Sequence, residues 1–311
     1  MILDKRKINK SNLMKLIFSS IVSFILIYYS LNDCDSDKFL KSMLNANFIS
    51  LFLSMILLVL TIQIRAIRWK FILNKNIKVN NLYMAQLIGY MGNNLLPLRL
   101  GEFLKSYYIG KKNKISKFEA FGSVVLERFL DFSAIGFLLI LLIQTSWMNE
   151  IESLYRNAIL SILLLSIVLL LISYYINKTF INKFLKNIPN FLKEVINGFA
   201  NINSSNIIGS IFLTIFIWSN YILVVYLVQY SFELGLTVQQ CILLLLISTV
   251  VLSIPSLPGN IGTFEASVVY TLTLYGITDD FGFGFILHSV SFIPYTLLGL
   301  FYFVKERKFI I

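Results

Sequence analysis

Histidine is all but missing from this chain, and the one present, His288, cannot supply the pair that a HExxH zinc site needs. The two cysteines, Cys34 and Cys241, have no metal-ligand spacing and read as free thiols. No CxxC, nucleophile elbow or phosphate-binding loop occurs, so no metal and no cofactor are expected. Charge is also scarce. Only 14% of the 311 residues are Asp, Glu, Lys or Arg, while 57% are hydrophobic, which excludes an ordinary soluble domain. The net charge of +11 would suggest nucleic acid in a soluble protein. Here the charges partition in register with apolar runs, and no nucleic-acid partner is expected.

Those runs, at Leu13–Leu31, Phe48–Ile64, Phe118–Ile143, Asn157–Ile176, Ile207–Tyr230 and Phe281–Val304, approach or exceed the roughly 18–20 residues that span a bilayer core. The first follows a basic leader (Lys5, Arg6, Lys7, Lys10, Lys15) without a small-residue cleavage site, and reads as a retained helix. Basic segments alternate with acidic ones. Arg65, Arg68, Lys70, Lys75 and Lys78 follow the second run, Lys111 to Lys117 precede the third, and Lys305, Arg307 and Lys308 follow the last. By the positive-inside rule these segments, with Lys105, are cytoplasmic, as are both termini, while Asp33–Asp37, Glu150 and Glu152, Glu233, and Asp279 and Asp280 lie outside. Trp69, Trp147 and Trp218 read as interfacial anchors.

Two further apolar stretches are broken in the middle. Leu87–Tyr108 is interrupted at Asn93, Asn94, Pro97 and Gly101, and Leu245–Leu272 at Pro255, Pro258, Gly259 and Gly262. In each, a Pro is followed four residues on by a Gly and then by an acid, Glu102 or Glu265. Pro and Gly disfavour a continuing helix, and the segment Leu82–Leu96, about 22 Å long as a helix, falls short of a ~30 Å core. A full crossing would also carry Arg99 to the far side. The reading is a re-entrant hairpin from the cytoplasm turning at Asn93–Gly101, and a second, Gln240–Gly276, from outside turning at Pro255–Gly262. The expected fold is therefore all-α and polytopic: about six transmembrane helices plus two re-entrant hairpins. The order span, span, hairpin, span occurs twice, in halves of about 1–145 and 146–311. That is an inverted-topology repeat within one transmembrane domain, an arrangement typical of transporters that bind substrate at broken helices.

Removing the loop charges leaves Arg99, Glu102, Glu127, Arg128, Asp131 and Glu265 at membrane depth as candidate substrate-binding residues. Glu127, Arg128 and Asp131 share a sector of about 100° on one helix with Ala120, Ser123 and Ala134. Arg128 and Asp131 either lock helices together or meet a headgroup. Asn93 and Asn94 are expected to satisfy broken backbone. Glu265 stands open as a protonated acid, a counter-charge for a cationic headgroup, or a partner of Arg128. His288 reads as a hydrogen-bonded packing residue.

Three ordered segments, NNLLPLRLGEFLKSYYI, GSVVLERFLDFSAIG and IPSLPGNIGTFEASVVYTLTLYGI, carry a resemblance to a known family. The chain resembles the flippase-like membrane family that includes the lysylphosphatidylglycerol synthase transmembrane region. Asn260 stands where the pattern suggests another Gly. The resemblance implies an integral protein of the cytoplasmic membrane that moves a phospholipid or polyprenyl-linked lipid between leaflets. The chain stops at Ile311, after the last apolar run, so the soluble aminoacyl-transfer domain of bifunctional members is expected to be absent, and the chain is not expected to be an enzyme. A different class, a non-transporting scaffold for an envelope-lipid or glycan-assembly enzyme, would need a stoichiometric membrane partner. Homo-oligomers fit either reading. An intramembrane enzyme is the weakest, since no nucleophile–base pair or metal constellation is present.

Overall fold

The structure is a computed structural model, described here for residues 44–96, 100–143, 189–200, 202–253, 258–277 and 281–310. The expected spans Leu13–Leu31 and Asn157–Ile176 lie outside those residues, as do Arg99, Pro97, Pro255 and Trp147. The described chain is helical, with α1 (Phe48–Leu73), α2 (Val79–Leu95), α3 (Gly101–Asn113), α4 (Lys117–Ile143), α5 (Asn190–Ala200), α6 (Ser204–Ser231), α7 (Val238–Ser253), α8 (Thr263–Thr273) and α9 (Phe281–Lys305). No strand occurs among the described residues.

Phe48–Leu73, Ser205–Ser231 and Phe281–Lys305 are long and apolar enough to cross a membrane. α4 has 27 residues but carries Glu119, Glu127, Arg128 and Asp131 between its start and its middle turn. Polarity is inverted relative to a water-soluble bundle. Ile49 is 80% exposed, Phe212 70% and Phe301 58%, while Arg68 and Glu127 are 0% exposed. Apolar side chains turned outward and charges turned inward suit a hydrocarbon surround.

α1 and α6 run antiparallel. At one end the Asn47 N–H donates to Ser231 O (3.0 Å), and at the other the Asn206 side-chain amide donates to Asn74 Oδ1 (3.2 Å). The second of these ends gathers the basic residues, with pairs Lys75–Glu119 (3.0 Å) and Lys112–Glu306 (2.7 Å). α1 is longer than the sequence suggested. It continues nine residues beyond Ile64 to Leu73 and is closed by Asn74 in the left-handed region at φ 49°. Arg65 and Arg68 are therefore not loop charges but buried helical residues, 4% and 0% exposed. Lys105, also assigned to a cytoplasmic segment, is 3% exposed. Trp69 and Trp218 are not interfacial anchors, since both are buried; the Trp69 indole donates to Ser123 Oγ at 2.8 Å.

The broken stretches form two helical hairpins. α2 and α3, 17 and 13 residues, are about 26 and 20 Å long, and α7 and α8, 16 and 11 residues, are about 24 and 17 Å. None of these limbs spans a ~30 Å core. The limb ends of the first hairpin are tied by Asn81 Nδ2–Asn113 Oδ1 (3.1 Å) at the basic end. Those of the second are tied by Tyr275 Oη donating to Gln240 O (3.0 Å), near the opposite end, where Phe232 meets Phe283. The hairpins thus enter the bundle from opposite ends and meet turn to turn: a Cβ on Gly259 would sit 3.3 Å from Asn94 O. In the first turn the Asn93 side chain accepts from Gly101 N–H at 3.0 Å, as expected of a residue satisfying broken backbone. Gly101 has no room for a side chain, since a Cβ there would lie 1.9 Å from Gly89 O. In the second turn Gly259, Asn260 and Gly262 all adopt positive φ (75°, 56° and 86°). Asn tolerates that region better than other side chains, so Asn260 keeps the turn tight where the family pattern suggests Gly.

α5 had no counterpart in the expected spans. It is a short amphipathic helix packed across α4 at two glycines: a Cβ on Gly122 would lie 1.9 Å from Val195 O, and one on Gly198 1.9 Å from Glu119 O.

Candidate functional site

α1 sets one wall. Ser54, Leu58, Thr61, Arg65, Arg68 and Ile72 recur at three- and four-residue spacing and are all buried, forming one inward stripe. The same spacing puts Glu127 and Asp131 on one face of α4, opposite Arg65 and Arg68. Arg68 Nη1 binds Asp131 Oδ1 at 2.7 Å and Thr214 Oγ1 at 2.9 Å, and its Nη2 lies 3.3 Å from Glu127 Oε1. Arg65 Nη2 binds Asp131 Oδ2 at 3.0 Å, while its Nε donates to Tyr221 Oη at 3.0 Å.

The first hairpin completes the cluster. Lys105 of α3 places Nζ 2.8 Å from Glu127 Oε2, 3.1 Å from Gln86 Oε1 and 4.9 Å from the Trp69 ring centre. Gln86 of α2 donates to Glu127 Oε1 at 3.1 Å. Arg128 Nε meets Glu102 Oε1 at 3.1 Å, and its Nη1 lies 3.3 Å from Asp131 Oδ2. An isolated charge at this depth costs about 2.5–3.5 kcal/mol on insertion scales, and mutual pairing makes the cluster tolerable. Exposure then separates roles. Arg128 and Glu102 keep 34% and 24% of their side chains accessible, whereas Arg68, Glu127 and Lys105 are sealed behind them.

Arg128 and Glu102 open onto a cavity of about 540 Å³. Its wall includes both hairpin turns, Asn93 and Asn94 from the first and Gly259 and Asn260 from the second, with Arg65, Asp131, Tyr221 and His288 between them. Glu265 does not reach Arg128. Its Oε2 accepts from Gly262 N–H (2.7 Å) at the start of α8, and its Oε1 lies 2.7 Å from His288 Nδ1. His288 is hydrogen-bonded as expected, but it also lines the cavity. Among the candidate residues, then, Glu102, Arg128 and Asp131 converge on the cavity, Glu127 stands directly behind them, and Glu265 adjoins it through His288. Arg65, Arg68, Gln86 and Lys105 were missed. For Arg65 and Arg68 the signal is the three- and four-residue spacing of the inward stripe on α1; Gln86 on α2 and Lys105 on α3 carry no such signal. Among the described residues no three of His, Cys, Asp and Glu gather as metal ligands would.

A helical fold with its charges inside and its apolar surface outside, around a cavity walled by two broken helix pairs, defines an integral membrane protein of the polytopic, helical class. Residues 16–299 match the family described as the lysylphosphatidylglycerol synthase TM region, and the chain belongs to that family. It is similar to a UPF0104 membrane protein of Methanocaldococcus jannaschii, 26% identical over 95% of this chain and 94% of that protein. Another UPF0104 membrane protein, from Methanothermobacter thermautotrophicus, is 23% identical over 90% of this chain and 88% of its own length. A second from M. jannaschii is 26% identical over 70% of this chain and 94% of its own length. No solved structure matches.

Proposed function

We propose that this chain moves a lipid, either a phospholipid or a polyprenyl-linked lipid, between the leaflets of the cytoplasmic membrane. The observation that carries this reading is the cavity wall shared by the two hairpin turns, with Arg128 and Glu102 accessible there. Broken helices meeting at mid-bundle are where transporters bind substrate, and a volume of about 540 Å³ suits a headgroup but not two acyl chains. In this reading the hairpins are re-entrant, one from each face, the halves form an inverted repeat, and both termini are cytoplasmic. The headgroup phosphate contacts Arg128 while the tails remain in the bilayer. Glu102 holds the guanidinium when the cavity is empty and releases it to the phosphate on binding, and small movements of either turn open the cavity to one side.

The test is transport in proteoliposomes containing the purified chain and a tail-labelled lipid, read with an impermeant quencher. Wild-type protein should accelerate exchange between leaflets. Arg128→Gln should fold yet slow it by about tenfold for each 1.4 kcal/mol of lost transition-state stabilisation. Wild-type protein that moves no host lipid under any gradient would leave the scaffold reading in its place.

A further inference from the structure

We propose that Glu265 and His288 form a proton-binding site, and that the proton is a second transported species whose gradient drives the lipid. The proposal rests on the lipid reading above and adds its energy source. The first support is the way the carboxylates at membrane depth are paired. Glu102, Glu127 and Asp131 each bind arginine or lysine, which balances their charge. Glu265 does not. It is buried, and its partners among the described residues are the Gly262 N–H at 2.7 Å and His288 Nδ1 at 2.7 Å, with no lysine or arginine among them. With one hydrogen between the two side chains, an imidazole N–H donating to a carboxylate, the pair carries a charge of −1. One further proton brings it to zero, as imidazolium with carboxylate or as neutral ring with carboxylic acid. An unbalanced charge at this depth is costly, so the two states differ in how readily the site moves within the bilayer.

The second support is position. Glu265 Oε2 holds the N–H of Gly262, the residue at φ 86° that opens α8, so the acid is bonded to the turn of the second hairpin. Charge-assisted hydrogen bonds are roughly twice as strong as neutral ones, so the state of the pair is felt at that turn. His288 comes from α9 and lines the cavity with 10% of its side chain accessible, while Glu265 keeps 4%. The imidazole is thus the entry, and the acid lies behind it. Phe264 and Phe292 flank the ring, 4.7 and 5.5 Å away between centres, and hold it in place. The charged groups that share the cavity wall with His288 are Arg65 from α1, Glu102 from α3, and Arg128 and Asp131 from α4. These pair with one another, two cations against two carboxylates. The other titratable groups there are the phenols Tyr90, Tyr221 and Tyr295, and α7 carries no charged residue. The Glu265–His288 pair is therefore where the cavity gains a proton without breaking an arginine or lysine ion pair, and it sits on a turn that has to move. A proton entering from water on one face neutralises the pair, the turn shifts with the lipid loaded, and the proton leaves to water on the other face.

The experiment uses proteoliposomes of the full chain with two tail-labelled probes, phosphatidylglycerol and a polyprenyl phosphate, and protein-free vesicles as the blank. Each is measured at equal pH on both sides and under a gradient of about one pH unit of either sign. Without a gradient, wild-type protein should equalise the leaflets. With one, it should hold a leaflet ratio approaching about tenfold, the limit for one proton per lipid, and reversing the gradient should reverse the ratio. Glu265→Gln keeps an acceptor for the Gly262 N–H, and His288→Asn keeps a donor for Glu265. In each variant the ratio under the gradient should fall to the ratio without it. A second measurement needs no lipid. His288 is the chain's one histidine, so 15N labelling gives a single ring to follow by NMR in detergent. Its signal should change over the same pH range as the gradient-free exchange rate, and Glu265→Gln should displace that change even if the variant moves no lipid. A wild-type leaflet ratio that ignores the gradient, coupling kept in either variant, or a ring signal indifferent to pH overturns the proposal. Exchange that is blind to the gradient would leave the lipid reading standing, whereas wild-type protein that moves neither probe nor any other host lipid would remove both.

Discussion

Glu127 and Asp131 are the two carboxylates that hold the buried cations, each meeting three of them. Glu127, fully buried, meets Lys105 and Arg68 at 2.8 and 3.3 Å, with Arg65 at 3.7 Å. Glu127→Gln keeps its size but leaves those cations short of a counter-charge at membrane depth. Removing one partner of a buried ion pair typically costs about 3–5 kcal/mol. Thermal unfolding of the purified protein in detergent should therefore fall markedly for Glu127→Gln and much less for Glu102→Gln, whose carboxylate is partly accessible; equal shifts would refute the network's structural role. The same geometry alters what a double substitution at Arg128 and Asp131 should do. Two apolar residues could replace an isolated pair at little cost, but Asp131 also binds Arg65 and Arg68. The double variant should therefore be destabilised. Glu127, Arg128 and Asp131 were legible because carboxylates amid a long apolar run have no solvent to explain them. Arg65 and Arg68 were not, because they stand near the end of their run, where charge counting assigns any arginine to a loop. The continuation through Ile67, Trp69, Ile72 and Leu73 was the available correction.

The hairpins were the most legible elements, because Pro and Gly punctuate apolar sequence that has no other reason to stop. The break after Leu95, the restart at Gly101, and the second turn before Thr263 all fall within the expected bounds. What punctuation cannot give is the fit between limbs. Gly89, Gly92 and Gly101 meet so closely that a Cβ on Gly101 would overlap Gly89 O at 1.9 Å and one on Gly92 would sit 2.8 Å from the Gly101 Cα. Those contacts are with backbone, which cannot rotate away. Gly101→Ala should therefore splay α2 from α3 and destabilise by at least the 1–3 kcal/mol that overpacking typically costs, read as a loss of folded yield and a lower unfolding temperature. Gly284→Ala, whose nearest contact is an ordinary 3.4 Å to the Val268 side chain, serves as the matched control and should change neither. α5 escaped the sequence reading for a different reason. Its apolar residues Phe191, Leu192, Val195, Ile196 and Phe199 follow a helical period, but the segment is too short to register as a span. Where α5 crosses α4, backbone again meets backbone, which residue identity shows only as two scattered glycines.

At the scale of the whole molecule, the two hairpins make a claim about sidedness. Both limb ends of α2/α3 lie with the lysines, and both limb ends of α7/α8 lie near Glu233 and Gln240, so each hairpin should be reached from its own face of the membrane. The positive-inside rule assigns the lysine-rich end to the cytoplasm. The prediction uses single cysteines in a background with Cys34→Ser and Cys241→Ser. Lys78→Cys and Lys111→Cys, exposed positions flanking the first hairpin, should resist an impermeant thiol reagent in intact cells and react once the membrane is opened. Glu233→Cys and Gln239→Cys, exposed at the other end, should react in intact cells. A helix pair that crossed the membrane and returned would show the same parity, so the flanks alone do not settle re-entry. A cysteine in place of Leu96 at the first turn does. It is exposed on the protein and sits about 26 Å of helix from the start of α2. A crossing pair would present it to the outside reagent as readily as Glu233→Cys. A re-entrant hairpin holds it at mid-bundle, where labelling from outside should be slow and should fall further when a bound lipid fills the cavity. Rapid external labelling at that turn, unaffected by lipid, would remove the re-entrant hairpin and the inverted repeat together. The helix contacts described above would remain, but the shared cavity would no longer be reachable from both faces in turn.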